Sequence, residues 1–472
     1  MVHESDGGAD KIRAAAERSA LALIGRTAAP DSSQGRLHPV SRVPDSKRAS
    51  TLRILKIFDG DYPWDVRVEK VSRTLMAAGH DLLLVCRNKE GQAPRKEILE
   101  DGLRVERVPA LGPAGLSLPI FLSPLWIAPI LSAAHRFKPD IVLVRDLPMA
   151  PLGLLAGQLR GVPVLADLAE PYPDSLRSIY QFNEPSMMDR FVRNPRVADA
   201  VERFVVKRLD HALVVCPEAQ GRLESVGLPE GRCTVVRNTP HPDSLVQLGK
   251  EPDALKGLED RFVVLFSGLL AGDRGLDVAI DAIQTLEAQS PNRFALVIVG
   301  DGPVAPRLRA QVREKGLGGV VRFVGHVLYE DLADIIAGCD LGILPFHHCP
   351  HIEASLANKL FEYMSLGLPV VASDVAPHRR VIEHAKNGLL TRPGSASELA
   401  AGIRVCEQEP DRLQDFAQAG RQAVASGYSW SHDATRLLEA VSLFSMGEGS
   451  HAHPLSEKSI AVEAEGPSSV DD

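Results

Sequence analysis

The chain has 472 residues and 51.0 kDa, with 44% apolar and 24% charged residues, which is enough for more than one hydrophobic core and excludes a single small domain. The 53 Lys and Arg against 61 Asp and Glu leave a formal charge of -8 and a pI near 6.0, so no basic field gathers nucleic acid by counterion release, and no nucleic-acid partner is expected. Six scattered cysteines (Cys86, Cys216, Cys233, Cys339, Cys349 and Cys406) without a C-x-x-C pair read as those of a reduced cytoplasmic protein with no structural zinc site.

Residues 1–50 read as a flexible extension. Their first half is a short amphipathic stretch with Lys11, Arg13, Arg18 and Arg26 and no uninterrupted apolar core, so it is not a secretory signal; a membrane-surface helix is the other reading. Folded structure is predicted from the strand LRILKIF (52–58), the polar loop GDYPWD, and a helix whose Val68, Val71, Leu75 and Met76 share a face and which ends at Gly79. The strand DLLLVC (81–86) completes this unit of a parallel sheet. Further strands are expected at LRVERV, DIVLV (140–144), VPVLAD (162–167), ALVVC (212–216) and CTVVRN (233–238), giving a first α/β domain over 51–244.

One segment breaks the alternation. Residues 109–134 carry no charged side chain, but prolines at 109, 113, 119, 124 and 129 would interrupt a spanning helix. Burial beside the sheet is the leading reading; the alternative is an apolar surface for peripheral contact at the inner face of a membrane or for a lipid-linked substrate. After a connector at 245–259, a second series of strands is expected at RFVVLFSG (261–268), FALVIVG (294–300), VRFVG (321–325), LGILPF and LPVVASD (368–374), each followed by a helical period. This is a second α/β domain over 260–428. A helix over 429–444 follows the completed sheet and is a candidate to cross back to the first domain, and 445–472 reads as a disordered acidic tail. In such paired domains a ligand sits in the crevice between them, at the carboxyl ends of the strands.

The chemistry concentrates in ASLANKLFEYMSLGLPVVASD (354–374). A helix beginning at Asn358 places Lys359 in its first turn, suited to a diphosphate, and Glu362 on nearly the same face, suited to a ribose diol. The same two residues also fit an ordinary solvent-facing pair. In FSGLLAGDRGLD (266–277), Gly268, Gly272 and Gly275 open a turn after a strand and Arg274 precedes the next helix, while VGDGP (299–303) brings Gly300 and Gly302 to a strand end. Neither G-x-G-x-x-G nor G-x-x-x-x-G-K-[ST] occurs there, so a dinucleotide or Walker triphosphate site is not supported.

Taken together in this order, YPWDVRVEKVSRTLMAAGHDLLLV, KPDIVLVRDLPMA (138–150), VLADLAEPYPD (164–174), VVRNTP (235–240), SGLLAGDRGLD, VGDGP and NKLFEYMSLGLPVVASD resemble the retaining glycosyltransferases of family 4 over residues 51–444. The resemblance implies the GT-B fold, two Rossmann-like doubly wound parallel-sheet domains facing a central cleft. It also implies transfer of a hexose-type unit from a UDP- or GDP-sugar to a sugar or lipid-linked glycan acceptor, in surface polysaccharide or glycoconjugate synthesis, with no cofactor and no metal. Arg274 and Lys359 are then the residues that stabilise the diphosphate leaving group, and Glu362 binds the ribose. Gly60 and Asp61 lie by the donor phosphates and sugar with Gly268, Gly300, Gly302, Asn358 and Leu360, and Asp146 and Glu170 face the donor sugar or acceptor.

Three positions depart from the family pattern. Ala354 stands eight residues before Glu362 where many members have a glutamate, and Glu353 is one residue off; a subgroup with the P-N-K-L-F-E-Y type sequence also lacks that glutamate. Leu269 replaces an arginine, and Ala169 replaces the histidine expected near the reacting sugar. HHCPH (347–351) is expected to border the sugar, with His347 and His351 as hydrogen-bonding groups, because adjacent side chains rarely converge on one tetrahedral ion. Two rival readings share the architecture: a nucleotide-sugar 2-epimerase, and a catalytically weakened glycosyltransferase-like subunit.

Overall fold

The computed structural model describes residues 51–445, apart from 64, 89, 90, 92, 110–123, 183–192, 242, 243 and 246–248. The expected N-terminal extension, nearly all of the acidic tail and the middle of the apolar 109–134 segment therefore lie outside the described residues.

Fourteen strands are present among the described residues: β1 (Arg53–Asp61), β2 (Asp81–Asn88), β3 (Lys96–Ile98), β4 (Arg104–Pro109), β5 (Ile141–Arg145), β6 (Val164–Asp167), β7 (His211–Val214), β8 (Cys233–Val235), β9 (Phe262–Ser267), β10 (Phe294–Val299), β11 (Val321–Gly325), β12 (Leu341–Leu344), β13 (Val370–Ser373) and β14 (Gly388–Thr391). They form two sheets, ordered β3-β4-β2-β1-β5-β6-β7-β8 and β11-β10-β9-β12-β13-β14. All neighbours are parallel except β3 and β4. The central strands are β-branched and leucine-rich runs buried on both faces, as a sheet covered by crossover helices requires. This is a mixed α/β architecture of two Rossmann-like halves.

Two local differences have physical reasons. The strand predicted to end at Phe58 runs on to Asp61 through a register shift after Ile57, so Gly60 and Asp61 belong to a strand end and not to a free loop. The antiparallel β3 is a three-residue polar edge strand, too short to carry a hydrophobic period.

The helix Val66–Ala77 starts where the Asp65 side chain accepts from the Val68 amide at 2.7 Å. It covers one face of the first sheet, and the C-terminal helix Trp430–Ser442 completes that layer, Trp430 and Leu437 joining Ile54, Val68, Leu75 and Leu84 in one apolar cluster. That helix is pinned to the first half by polar contacts: Trp430 Nε1 donates to Thr74 Oγ1 at 3.0 Å, and the fully buried Asp433 accepts from the Arg237 amide (3.1 Å), Arg237 Nε (3.3 Å) and Thr239 Oγ1 (2.7 Å). On the other face, Trp126, Ile130, Ala133 and Ala134 of the helix Pro124–Phe137 are buried against Leu55, Val85 and Val142, so the described end of the apolar segment lies beside the sheet. No helix among the described residues is long and apolar enough to cross a membrane.

The halves meet where the helix Tyr172–Phe182 packs on the turn Gly272–Arg274 and on the short helix Pro350–Glu353. An ion pair at 2.9 Å between Arg380 and Glu218 adds a second tie.

Candidate active site

The helix Asn358–Leu366 is held against the end of β9 by Tyr363, whose hydroxyl accepts from the Ser267 amide at 2.9 Å and lies 3.0 Å from Ser267 Oγ. The buried Leu360, Phe361, Tyr363 and Met364 face the core, which turns Lys359 and Glu362 toward the strand ends. Lys359 Nζ lies over the Phe266 ring at 4.4 Å and the Phe346 ring at 5.2 Å, and the Arg274 guanidinium stands 4.8 Å over the same Phe346. Two cations therefore share one aromatic platform. Among the described residues Lys359 makes no hydrogen bond and no ion pair within 4 Å; Glu362 and Asp273 attract it from farther off, but burial together with Arg274 outweighs them and lowers its pKa to about 7.

The glycines make room for this arrangement. A Cβ on Gly268 would stand 3.2 Å from Lys359 Nζ, and one on Gly300, where φ is +120°, would stand 2.0 Å from the Gly268 carbonyl oxygen. A Cβ on Gly302 would stand 2.3 Å from the Leu270 carbonyl oxygen. Glu362 is half-buried, and burial raises its pKa against the pull of Lys359 and of Lys70. Lys70 comes from the first half, where its Nζ donates to the Thr239 carbonyl at 2.7 Å.

The first half contributes a charged floor. Arg67 donates to Asp167 through Nε (2.9 Å) and Nη2 (2.6 Å) in a buried, forked pair. Arg145 pairs with Asp146, a residue held at φ 65° and ψ 157°, a conformation that costs a non-glycine residue about 1–3 kcal/mol. Burial and the neighbouring carboxylates of Glu170, Asp167 and Asp65 push Asp146 up to about 7, Arg145 opposing them.

His351 joins the two sides. Its Nδ1 lies 3.0 Å from Asp273 Oδ2, and its Nε2 faces Glu170 Oε2 of the first half at 3.9 Å. Asp273 also lies 3.5 Å from Arg274 Nε; burial works against its ionisation, but Arg274 and the His351 hydrogen bond outweigh it and hold the carboxyl well below the usual range. The other members of HHCPH diverge: His347 pairs with Asp277 at 3.1 Å, and His348 with Glu353 at 3.1 Å.

The structure thus gathers Gly268, Arg274, Gly300, Gly302, Lys359 and Glu362 in one group and Asp146 with Glu170 in another, linked through Asp273 and His351. Asn358 is exposed beside the first group. Leu360 is fully buried in the core and its amide bonds to the Ala357 carbonyl at 3.1 Å, so neither its side chain nor its N–H is presented to a ligand. Gly60 lies beneath the Phe58 ring and Asp61 faces Arg87 in the ladder, both at the end of β1. Of the three departures, Leu269 is exposed and Ala169 and Ala354 are buried. The Lys359 ammonium sits against Gly268, immediately before the position where the family's arginine is missing. Glu353 accepts from the Ala376 amide at 3.0 Å and is engaged there rather than in the cleft. Sequence reasoning passed over Lys70, Phe346, Arg145 and Asp273; only Asp273, beside Arg274 in a glycine-flanked turn, carried a local signal.

Residues 65–239 match the model of the glycosyl transferase 4-like domain, and residues 250–423 match that of glycosyl transferases group 1. The chain belongs to the group 1 glycosyltransferases. It is 24% identical over 403 residues to the glycogen synthase of Mycobacterium tuberculosis, covering 81% of this chain and 91% of that protein. It is 25% identical over 392 residues to the D-inositol 3-phosphate glycosyltransferase of Thermobispora bispora, covering 79% and 88%. Its fold is similar to that of Anabaena HepE, solved in complex with UDP-glucose, with a TM-score of 0.63 and 19% identity over 83% of this glycosyltransferase and 100% of HepE. The GT-B architecture expected from the sequence is thereby established for this glycosyltransferase.

Proposed function

We propose that this glycosyltransferase moves a hexose from a nucleoside diphosphate sugar to an acceptor hydroxyl with retention of anomeric configuration. The observation that carries the reading is the pair of cations, Lys359 and Arg274, over the Phe346 ring at the strand ends. Bond breaking leaves positive charge on the sugar and gathers negative charge on the departing diphosphate, so preorganised cations there stabilise the transition state more than the ground state, by about 3 kcal/mol each. They supply the charge that a divalent metal would otherwise bring. Glu362, three residues beyond Lys359 on the same helix face, receives the ribose hydroxyls, and Lys70 from the first half couples to Glu362 when the cleft is closed. The departing phosphate oxygen takes the acceptor proton on the same face of the sugar, so no opposed pair of carboxylates is required.

The UDP-glucose complex of HepE supports a uridine donor. The relatives' names point to unlike acceptors, and the acceptor assigned here is a sugar or lipid-linked glycan held by the first half, in polysaccharide or glycoconjugate assembly. Calorimetric titration with UDP and with GDP tests the donor site: one nucleotide binds in the micromolar range, and the K359A/R274A variant loses that binding. Well-folded protein that binds neither nucleotide refutes the assignment.

A further inference from the structure

The helix Pro195–Val206 lies on the surface of the first half, packed on the helices Tyr172–Phe182 and Pro217–Val226, and it sorts its charges. Its two carboxylates are engaged by those neighbours: Asp199 pairs with Arg177, and Glu202, 4% exposed, accepts a forked pair of bonds from Arg222 at 2.8 and 2.9 Å. Its cations turn the other way. Arg196 and Arg203 on the helix, with Lys207 and Arg208 at its end, are exposed at helical spacing and form no ion pair among the described residues. Val197 and Phe204, 44% and 49% exposed, stand among them, and the Arg208 guanidinium lies 3.9 Å over the Phe204 ring. In a chain of net charge -8, a face of four cations without an anion attracts an acidic partner, and the two apolar side chains within it favour one that also carries aliphatic groups.

The chain itself supplies such a partner. Residues 446–472, outside the described residues, carry Glu448, Glu457, Glu463, Glu465, Asp471 and Asp472 against the single Lys458, and Ile460 and Val462 fall between Glu457 and Glu463. Residues 1–50 hold more Lys and Arg than Asp and Glu and are repelled by the same face. The acidic tail also starts close by. Phe444 meets the ring of His211 edge-on at 6.3 Å, and Arg208 is three residues before His211, at most about 11 Å along the chain. A flexible stretch from Ser445 to Glu457 averages roughly 19 Å and reaches about 40 Å, while the helix is about 18 Å long, so the whole face is within range. Tethering raises the local concentration of the tail to the order of millimolar, enough to populate a contact too weak to form between separate molecules. We propose that the segment Glu457–Glu465 docks on the outer face of the helix Pro195–Val206, its carboxylates on Arg196, Arg203, Lys207 and Arg208 and its aliphatic residues on Val197 and Phe204. The tail is then an intramolecular cover for a basic, partly apolar surface, and the contact is independent of the donor site.

Zero-length cross-linking of the full chain with a carbodiimide, which joins a carboxylate to an amine only where the two meet, tests this directly. Lys207 should be linked to Glu457, Glu463 or Glu465, with the exposed Lys256 and Lys386 of the second half as references. The yield at Lys207 should fall at least about fivefold between about 20 mM and about 0.5 M salt, where the screening length shrinks to about 4 Å. It should fall as far in R196Q/R203Q/R208Q, which keeps Lys207 and changes only exposed side chains outside the cleft, so UDP affinity measured alongside should not move. Tail carboxylates that link to Lys256 and Lys386 as often as to Lys207, or a yield at Lys207 that neither salt nor the triple variant alters, overturn the proposal. Links formed only between labelled and unlabelled chains in a mixture overturn it in favour of a second copy. Sedimentation with phosphatidylglycerol vesicles that the triple variant abolishes, without any link to Lys207, overturns it in favour of a lipid surface.

Discussion

If Lys359 is the diphosphate cation, binding of a nucleotide sugar must take up a proton. Burial and Arg274 hold its pKa at about 7 in the free protein, against an ordinary 10.5. A diphosphate beside the ammonium leaves it buried but offsets the depression by direct attraction between opposite charges, and restores the charged form well above pH 8. The sign follows: affinity is fully present below the free-protein pKa and falls as pH rises through it. With half of Lys359 neutral at pH 7, uptake is about 0.5 proton there and about 0.9 at pH 8, and affinity falls about fifteenfold between pH 7 and 8.5. UDP-glucose is the suitable probe because its diphosphate does not titrate in this window, and calorimetry in buffers of different ionisation enthalpy reads the proton count directly. The other titratable groups facing Lys359 are Glu362, Asp273 and His378; burial, with Lys359 and Arg274 adding to it, holds His378 at about 4 and therefore neutral throughout. Lys70 also titrates near 7, so K70M separates the two: it should keep the slope, whereas K359M should bind weakly at every pH without it. Affinity flat from pH 6 to 8.5 with no proton uptake would refute the placement of the diphosphate on Lys359.

Two further outcomes rest on geometry rather than charge. Gly300→Ala puts a Cβ 2.0 Å from the Gly268 carbonyl at φ +120°, so the glycine turns must part; UDP affinity should drop at least about tenfold while urea unfolding shows a loss of about 1–3 kcal/mol, and unaltered affinity would show that the two turns do not shape the site. Asp433→Ala strands the buried Arg237 guanidinium, a loss of about 3–5 kcal/mol in urea unfolding; a change below about 1 kcal/mol would mean that the C-terminal helix is not anchored through this carboxylate.

How far the sequence was legible depended on the range of the interactions that define each feature. Strand β9 and helix Leu276–Gln289 are local patterns: a run of apolar residues buried on both faces, a turn with Gly275 in the left-handed region, then a 3.6-residue period. Lys359 and Glu362 were legible for the same reason, since three residues of helix fix their common direction whatever surrounds them. The extension of β1 to Asp61 was not, because the pairing of Asp61 with Arg87 depends on a neighbouring strand and not on the polarity of its own side chain. Lys70 illustrates the same limit on a larger scale. Its part in the site exists only because the first helix and the helix Asn358–Leu366, some 290 residues apart in the chain, face each other across the cleft.

The three departures from the family pattern show why absence in a motif is weak evidence about chemistry. A motif fixes residue types at spacings, whereas a reaction requires charges and donors at points in space, and a second segment can reach the same point. Leu269 removes an arginine, yet the Lys359 ammonium occupies the space against Gly268 from a different element. Ala169 removes a histidine beside Glu170, yet the imidazole nearest that carboxylate is His351, which arrives from the opposite half. Ala354 removes a glutamate, and Glu353 does not take its place, because its carboxylate is committed to the Ala376 amide. The weakened-subunit reading drew its force from counting these losses one at a time. Two of the three positions are faced by side chains from other segments, Lys359 from within the second half and His351 from across the two halves. What decides between an active and a weakened enzyme is therefore turnover: the proton uptake at Lys359 measures whether the relocated cation binds the donor, and turnover of a hydrolysable donor by this chain alone measures whether the bound donor reacts.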